Sequence, residues 1–257
     1  MNQFVFSLLG LALLLTLIVA VYLFIRWRLN SYRFSLRTLL LTFTFACLAL
    51  FVWVRFAMPI VAHRWAVQQL YRSGGAVLFR EDYDPKSGNI YSDPGTADPW
   101  RDVSIVHIRN NGEAVAAAQQ LKHLPEVDSM FLGAGVSDEG LNAICDSNSS
   151  AETLDFLNTP VTAVGLASLA KLKKLSTLFF NSCPINDSDL ASLKSLPTLR
   201  DLTLLEEAQQ AKPNRFTDAG FEELGQMITL ERLWLVNLKV SDAAAGHLRC
   251  LKNLKVL

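Results

Sequence analysis

Apolar positions in the C-terminal part of the chain recur with a period of 24 residues. Val103, Val127, Ala151, Leu175 and Leu199 open successive units, Leu230 follows after seven extra residues, and Leu254 opens the last. The third position after each start is Val106, Met130, Leu154, Leu178, Leu202, Leu233 and Leu257, and the fifth is Ile108, Leu132, Phe156, Phe180, Leu204 and Leu235. Two apolar positions two apart lie on one face of a β-strand. The second half of each unit changes period: Leu166, Leu169 and Leu172, or Leu190, Leu193 and Leu196, have helical spacing. Ahead of each such stretch stands a polar cluster suited to cap a helix, at Ser137-Asp138, Thr162, Asn186-Asp187, Thr217-Asp218 and Ser241-Asp242.

A unit of one strand and one helix is too small to bury its own apolar face, so it must stack on its neighbours. The pattern L-x-x-L-x-L, followed by an Asn or small polar residue at Asn110, Asn158, Asn181 and Asn237, is the signature of a leucine-rich repeat. The expected fold class is therefore α/β: a leucine-rich repeat solenoid over 103–257, with one strand and one helix per repeat of 24 residues, preceded by N-terminal transmembrane helices. It holds about six repeats plus an incomplete seventh at Leu254 to Leu257.

The N-terminal pattern is different. Phe4 to Ile25 is 22 residues without a charge, and a helix of that length reaches roughly 33 Å, enough for a hydrocarbon core about 30 Å thick. A cleaved leader is the competing reading, opposed by the absence of a basic residue before the run and of a small-residue cleavage site after it. A second run starts at Thr38 and reaches Val54, with Phe56 to Val61 extending it; an interfacial or buried helix is its alternative. Residues 1–61 are thus read as a membrane anchor with spans at 4–25 and 38–58. Arg26, Arg28, Arg33 and Arg37, beside Trp27, Tyr32 and Phe34, form a basic turn that stays in the cytoplasm, which places the repeats outside the cytoplasmic membrane. Residues 62–102 read as a juxtamembrane helix ending at Gly74-Gly75, a short strand at Ala76 to Phe79, and a linker with an N-terminal cap plugged by Trp100.

Charge supports this division. The net charge of zero hides seven arginines and no acid in residues 1–73, against 14 basic and 18 acidic groups in residues 103–257. A basic apolar head on an acidic body suits a lipid bilayer and argues against nucleic acid as a partner.

Arg33-Phe34-Ser35-Leu36-Arg37-Thr38-Leu39-Leu40 ahead of an apolar span, Ala66-Val67 and Gly74-Gly75-Ala76-Val77 after it, and turns such as Val136-Ser137-Asp138-Glu139-Gly140-Leu141 and Phe216-Thr217-Asp218-Ala219-Gly220-Phe221 resemble a bacterial family of membrane-anchored leucine-rich repeat proteins. The resemblance covers nearly the whole chain and implies a generic binding role. It transfers no catalytic residue.

Function is sought on the strand face opposite the buried leucines. One outward column reads His107, Phe131, Asp155, Phe179, Thr203 and Trp234; the next reads Arg109, Gly133, Leu157, Asn181, Leu205 and Val236. Phe131, Asp155, Leu157, Phe179, Thr203, Leu205, Trp234 and Val236 are the candidate partner-binding residues, because contiguous exposed apolar area and aromatic anchors mark interfaces. Stacking between repeats, or cover by the insertion from Glu206 to Arg215, is the alternative explanation. The ligand expected is a protein or peptide; a structural envelope component without a specific ligand is the second reading and an enzyme assembled across repeats a remote third.

Signatures of chemistry are poor. Gly133-Ala134-Gly135 invites a dinucleotide reading, but Asp138 holds the sixth position of G-x-G-x-x-G, and a repeat turn explains the glycines. No zinc-protease, phosphate-loop, nucleophile-elbow or paired-cysteine motif occurs. No catalytic, cofactor-binding or metal-binding residue is therefore expected, and no cofactor. His63, His123 and His247 are scattered, and His107 is two strands from Asp155, roughly 10 Å at the usual strand spacing. Cys145 and Cys250 are expected to be buried apolar thiols.

Overall fold

The computed structural model describes residues 44, 46–48, 50–79, 103–124, 127–147, 150–206 and 216–257. They fall into two units, Met1–Ile60 and Val61–Leu257. The first predicted span, the arginine turn, Trp100 and most of the 206–215 insertion lie outside the described residues.

In the first unit the described residues belong to α1, a helix over Ala46–Arg72 that interrupts its regular winding with a π-helical turn at Trp53–Ala57. Leu48, Leu50, Phe51, Val52, Val54, Phe56 and Ile60 are all exposed. This one helix is long and apolar enough to cross a membrane, with a mean hydropathy of 1.8 over its most apolar window.

In the second unit, which begins at Val61, Ala66, Val67 and Leu70 of the helix are buried in the core. The helix ends in a Schellman motif: Gly74 takes φ of 93°, its N–H donates to the Tyr71 carbonyl at 3.1 Å, and the Gly75 N–H donates to the Leu70 carbonyl at 3.0 Å. Glycine tolerates that left-handed backbone, and the two bonds satisfy carbonyls the helix end would otherwise leave open.

Next comes β1 (Ala76–Phe79), antiparallel to β2 (Val103–Asn110). Thereafter strand and helix alternate: α2 (Asn111–Leu121), β3 (Ser129–Gly135), α3 (Asp138–Asp146), β4 (Thr153–Leu157), α4 (Ala163–Ser168), β5 (Thr177–Asn181), α5 (Asp187–Leu193), β6 (Asp201–Leu205), α6 (Asp218–Gly225), β7 (Arg232–Val236) and α7 (Asp242–Leu248). The sheet order is β1 to β7 in sequence, with β2 to β7 parallel, which is the topology of a leucine-rich repeat solenoid.

Register follows the 24-residue period. Met130, Leu154, Leu178, Leu202 and Leu233 are paired neighbours, as are Leu132, Phe156, Phe180, Leu204 and Leu235. The third-position row is fully buried, and Phe156 stacks on Phe180 with ring centroids 4.9 Å apart. Leu235 is only partly buried. Leu257 holds the corresponding register beyond a single Arg232–Val256 bridge and is exposed.

The polar residues after each strand make the turn. Asn158, Ser182 and Asn237 have φ of 52°, 55° and 58°, the left-handed region that Asn tolerates better than most residues. In the fifth strand the turn thus falls on Ser182, one residue beyond the expected Asn181. Asn110 instead has extended backbone and caps α2, accepting from the Glu113 N–H at 2.9 Å. Immediately after the left-handed residue, Thr159 Oγ1 donates to the Leu132 carbonyl at 2.6 Å and Cys183 Sγ to the Phe156 carbonyl at 3.2 Å. These buried donors serve carbonyls one repeat back.

Candidate functional site

Each predicted cap residue opens a helix, but the clusters do more than cap. Asp138 accepts from the Thr162 N–H at 2.8 Å and the Thr162 hydroxyl at 2.6 Å; Asp187 does the same for Thr217 at 3.0 and 2.6 Å. Asp218 accepts from the Ser241 hydroxyl at 2.5 Å. Ser137 makes no local cap; its hydroxyl accepts from Asn111 Nδ2 of the previous repeat at 2.8 Å. The motif S/T-D-x-G therefore ties one repeat to the next. A Cβ on Gly165 or Gly220 would collide with the carboxylate of Asp138 or Asp187, which is why glycine stands there.

This clamping holds the strand face in register. Phe131, Asp155, Phe179, Thr203 and Trp234 are direct cross-strand neighbours on β3 to β7. Leu157, Asn181, Leu205 and Val236 form the next row on β4 to β7. That second row does not extend to Arg109 and Gly133, because the β2–β3 register shifts between Ile108 and Asn110. Arg109 turns away from the face: its guanidinium donates to the Gly74 carbonyl and pairs with the buried Glu113 at 3.3 Å.

Exposure separates the eight candidates. Leu157, Phe179 and Trp234 are 48%, 36% and 49% exposed. Phe131, Asp155, Thr203, Leu205 and Val236 are half-buried. A third row, absent from the candidate set, flanks the first on its other side: Ser129, Thr153, Thr177, Asp201 and Arg232. The signal was available, since alternation puts the residue two before each central position on the same face. The first and third rows, with Ile105, line a shallow groove of about 540 Å³ that runs across the strands from β2 to β7; Leu157, Leu205 and Val236 lie outside its lining.

The groove holds two acids in different states. Asp201 accepts from Arg232 Nε at 2.6 Å and Nη2 at 2.5 Å, a bidentate pair, and lies 3.3 Å from Thr177 Oγ1. Asp155 has neither a hydrogen bond nor an ion pair among the described residues. It is framed by Phe131 and Phe179 across the strands and by Thr153 and Leu157 along its own strand. Loss of water holds its carboxyl above the ordinary range. At the same end, the His107 ring stacks on Phe131 with centroids 4.6 Å apart and planes 7° apart, and burial lowers its pKa. Among the described residues no three His, Cys, Asp or Glu side chains are placed to hold a metal ion.

The thiols are separated by burial. Cys145 and Cys183 are buried, and desolvation pushes both up to about 11. Cys250 is exposed, contrary to the sequence expectation. It lies after α7, beyond the helix face that Ala244 and Leu248 turn inward.

No protein-family model matches the chain. No curated protein matches it either. Among solved structures, the chain is similar to TLR13 in a TLR13-ssRNA13 complex, at 16% identity over 56% of this chain and 23% of that one, with a TM-score of 0.39. It is also similar to an internalin (inlF) from Listeria monocytogenes str. 4b F2365, at 15% identity over 53% of this chain and 49% of that one, with a TM-score of 0.29. The chain thus spans about a quarter of the first and half of the second. The leucine-rich repeat fold rests on the strand order and register described above.

Proposed function

We propose that this chain is a membrane-anchored leucine-rich repeat protein whose strand face binds a protein or peptide outside the cytoplasmic membrane, without catalysis. The observation that carries the reading is the groove itself: the exposed Phe179 and Trp234 line it, with Leu157 exposed beside it and the partly desolvated Asp155 between Phe131 and Phe179. Scattered apolar residues on a surface are ordinary, but a contiguous set around an aromatic pair is how interfaces are anchored. The exposed apolar residues from Leu48 to Ile60 of the helix over Ala46–Arg72 support the anchor, and the basic residues preceding it support the orientation.

The test places a photo-crosslinking amino acid at Thr203, between Phe179 and Trp234, in the full chain in native membranes. A discrete crosslinked species is expected, and Phe179→Ser with Trp234→Ser should reduce it at least tenfold while the circular dichroism melt stays cooperative. A crosslinking pattern unchanged by the double substitution would replace this reading with general packing in the envelope.

A further inference from the structure

Among the described residues, Asp155 is the acid in the groove that has no charged partner. Its counterpart Asp201 is neutralised by Arg232, whereas Asp155 faces the groove with no cation among the described residues. Its neighbours are the wrong kind to stabilise a carboxylate and the right kind to hold a cation. The parallel stack of His107 on Phe131, from adjacent strands, sets the Phe131 ring with one face toward β2 and the other toward β4, where Asp155 lies. Phe179 stands on the opposite side of Asp155. A cation above the carboxylate would thus gain an ion pair from below, the Phe131 ring face at one flank and the Phe179 side chain on the other side, and the electrostatic attractions strengthen as water is excluded.

The spacing of the aromatic side chains bears on the backbone that delivers this cation. Phe131, Phe179 and Trp234 occur on alternate strands, so successive aromatics are roughly 9.6 Å apart along the groove. An extended β-strand repeats its side chains on one face every roughly 6.8 Å and would fall out of step. A polyproline II segment repeats every three residues, about 9.3 Å, and stays in step over all three aromatics. Aromatic-lined grooves are also the surfaces on which such segments dock.

Resting on the peptide-binding reading above, we propose that Phe131, Asp155 and Phe179 form a subsite for the guanidinium or ammonium group of a basic residue carried by a proline-rich peptide in the polyproline II conformation, with Phe179 and Trp234 receiving the prolines that follow. The basic residue is the specificity element and the prolines supply apolar contact. No rearrangement of the sheet is required.

The experiment measures fluorescence anisotropy with the full chain in nanodiscs and three labelled nonapeptides of proline. The first carries a central arginine, the second citrulline at that position and the third glutamate. The arginine peptide is expected to bind at least tenfold more tightly than the citrulline peptide, and the glutamate peptide more weakly than either. Asp155→Asn should bring the arginine peptide down to the citrulline level and leave the citrulline peptide unchanged, a coupling that a merely structural Asp155 would not produce. Equal binding of the arginine and citrulline peptides, insensitivity to Asp155→Asn, or no saturable binding of any peptide would overturn the subsite. Each of those results is distinguishable from failure of the binding face as a whole, which the Phe179→Ser and Trp234→Ser crosslinking arm reads separately.

Discussion

Asp155 is the residue at which stability and the proposed binding role pull apart. Its carboxyl titrates higher in the folded chain than in the unfolded one because burial disfavours the charge, so the folded state binds the extra proton and loses stability as pH rises between those two values. Above that window the cost is fully present; below the unfolded value it vanishes. Asp155→Asn should accordingly raise the thermal midpoint at pH 7 and leave it unchanged near pH 3, measured by circular dichroism melts at both pH values. An unchanged or lower midpoint at pH 7 would mean that the carboxylate is stabilised by the fold. The column that contains Asp155 was legible in the sequence, because alternation along a strand and a fixed repeat length place every outward residue. Its isolation was not, since Asp155 and Asp201 look alike until Arg232 is seen to reach only one of them.

Between elements, the ladder of Asp138 to Thr162 and Asp187 to Thr217 explains the repeat motif better than local capping does. Thr162, Asn186, Thr217 and Ser241 do cap locally, yet Asp138, Asp187 and Asp218 also accept from the cap residue of the adjacent repeat, and no one-dimensional pattern distinguishes a bond made within a turn from one made across repeats. The same limit hid Thr159 and Cys183, whose task is to satisfy the carbonyls of Leu132 and Phe156. Two helical glycines, Gly220 in α6 and Gly246 in α7, test the ladder. Gly220 adjoins Asp187, whereas a Cβ at Gly246 would meet nothing within 4 Å. Replacing a helical glycine by alanine gains up to about 1 kcal/mol from backbone propensity. At Gly246 that gain should appear undiminished. At Gly220 it is opposed by displacement of a carboxylate that accepts two hydrogen bonds, each worth roughly 1.5–3 kcal/mol when charged. Urea denaturation should therefore show Gly246→Ala stabilised by about 1 kcal/mol and Gly220→Ala destabilised by about 1 kcal/mol or more; the same sign for both would remove the ladder from the account.

For the molecule as a whole, the order of the strands was legible because the solenoid has almost no topological freedom: each unit meets the units before and after it in sequence. The apolar helix over Ala46–Arg72 was legible only as apolar length. The thiols provide a readout of both burial and sidedness. With Cys47 replaced by serine, a membrane-impermeant maleimide applied at pH 8 to spheroplasts should label Cys250 alone. Cys145 and Cys183, buried and shifted to about 11, should react only after denaturation. Labelling of Cys250 only after lysis would place the repeats in the cytoplasm and reverse the proposed orientation. Finally, the constant pairing from β3 to β7 bears on how such a chain can change over generations. Unequal crossing-over that adds one whole unit leaves every joint between units of the same type and extends the strand face by about 4.8 Å, and with it the footprint of the proposed ligand. Reach can thus be inherited in discrete steps, with the choice of ligand adjusted separately by substitutions in the outward rows.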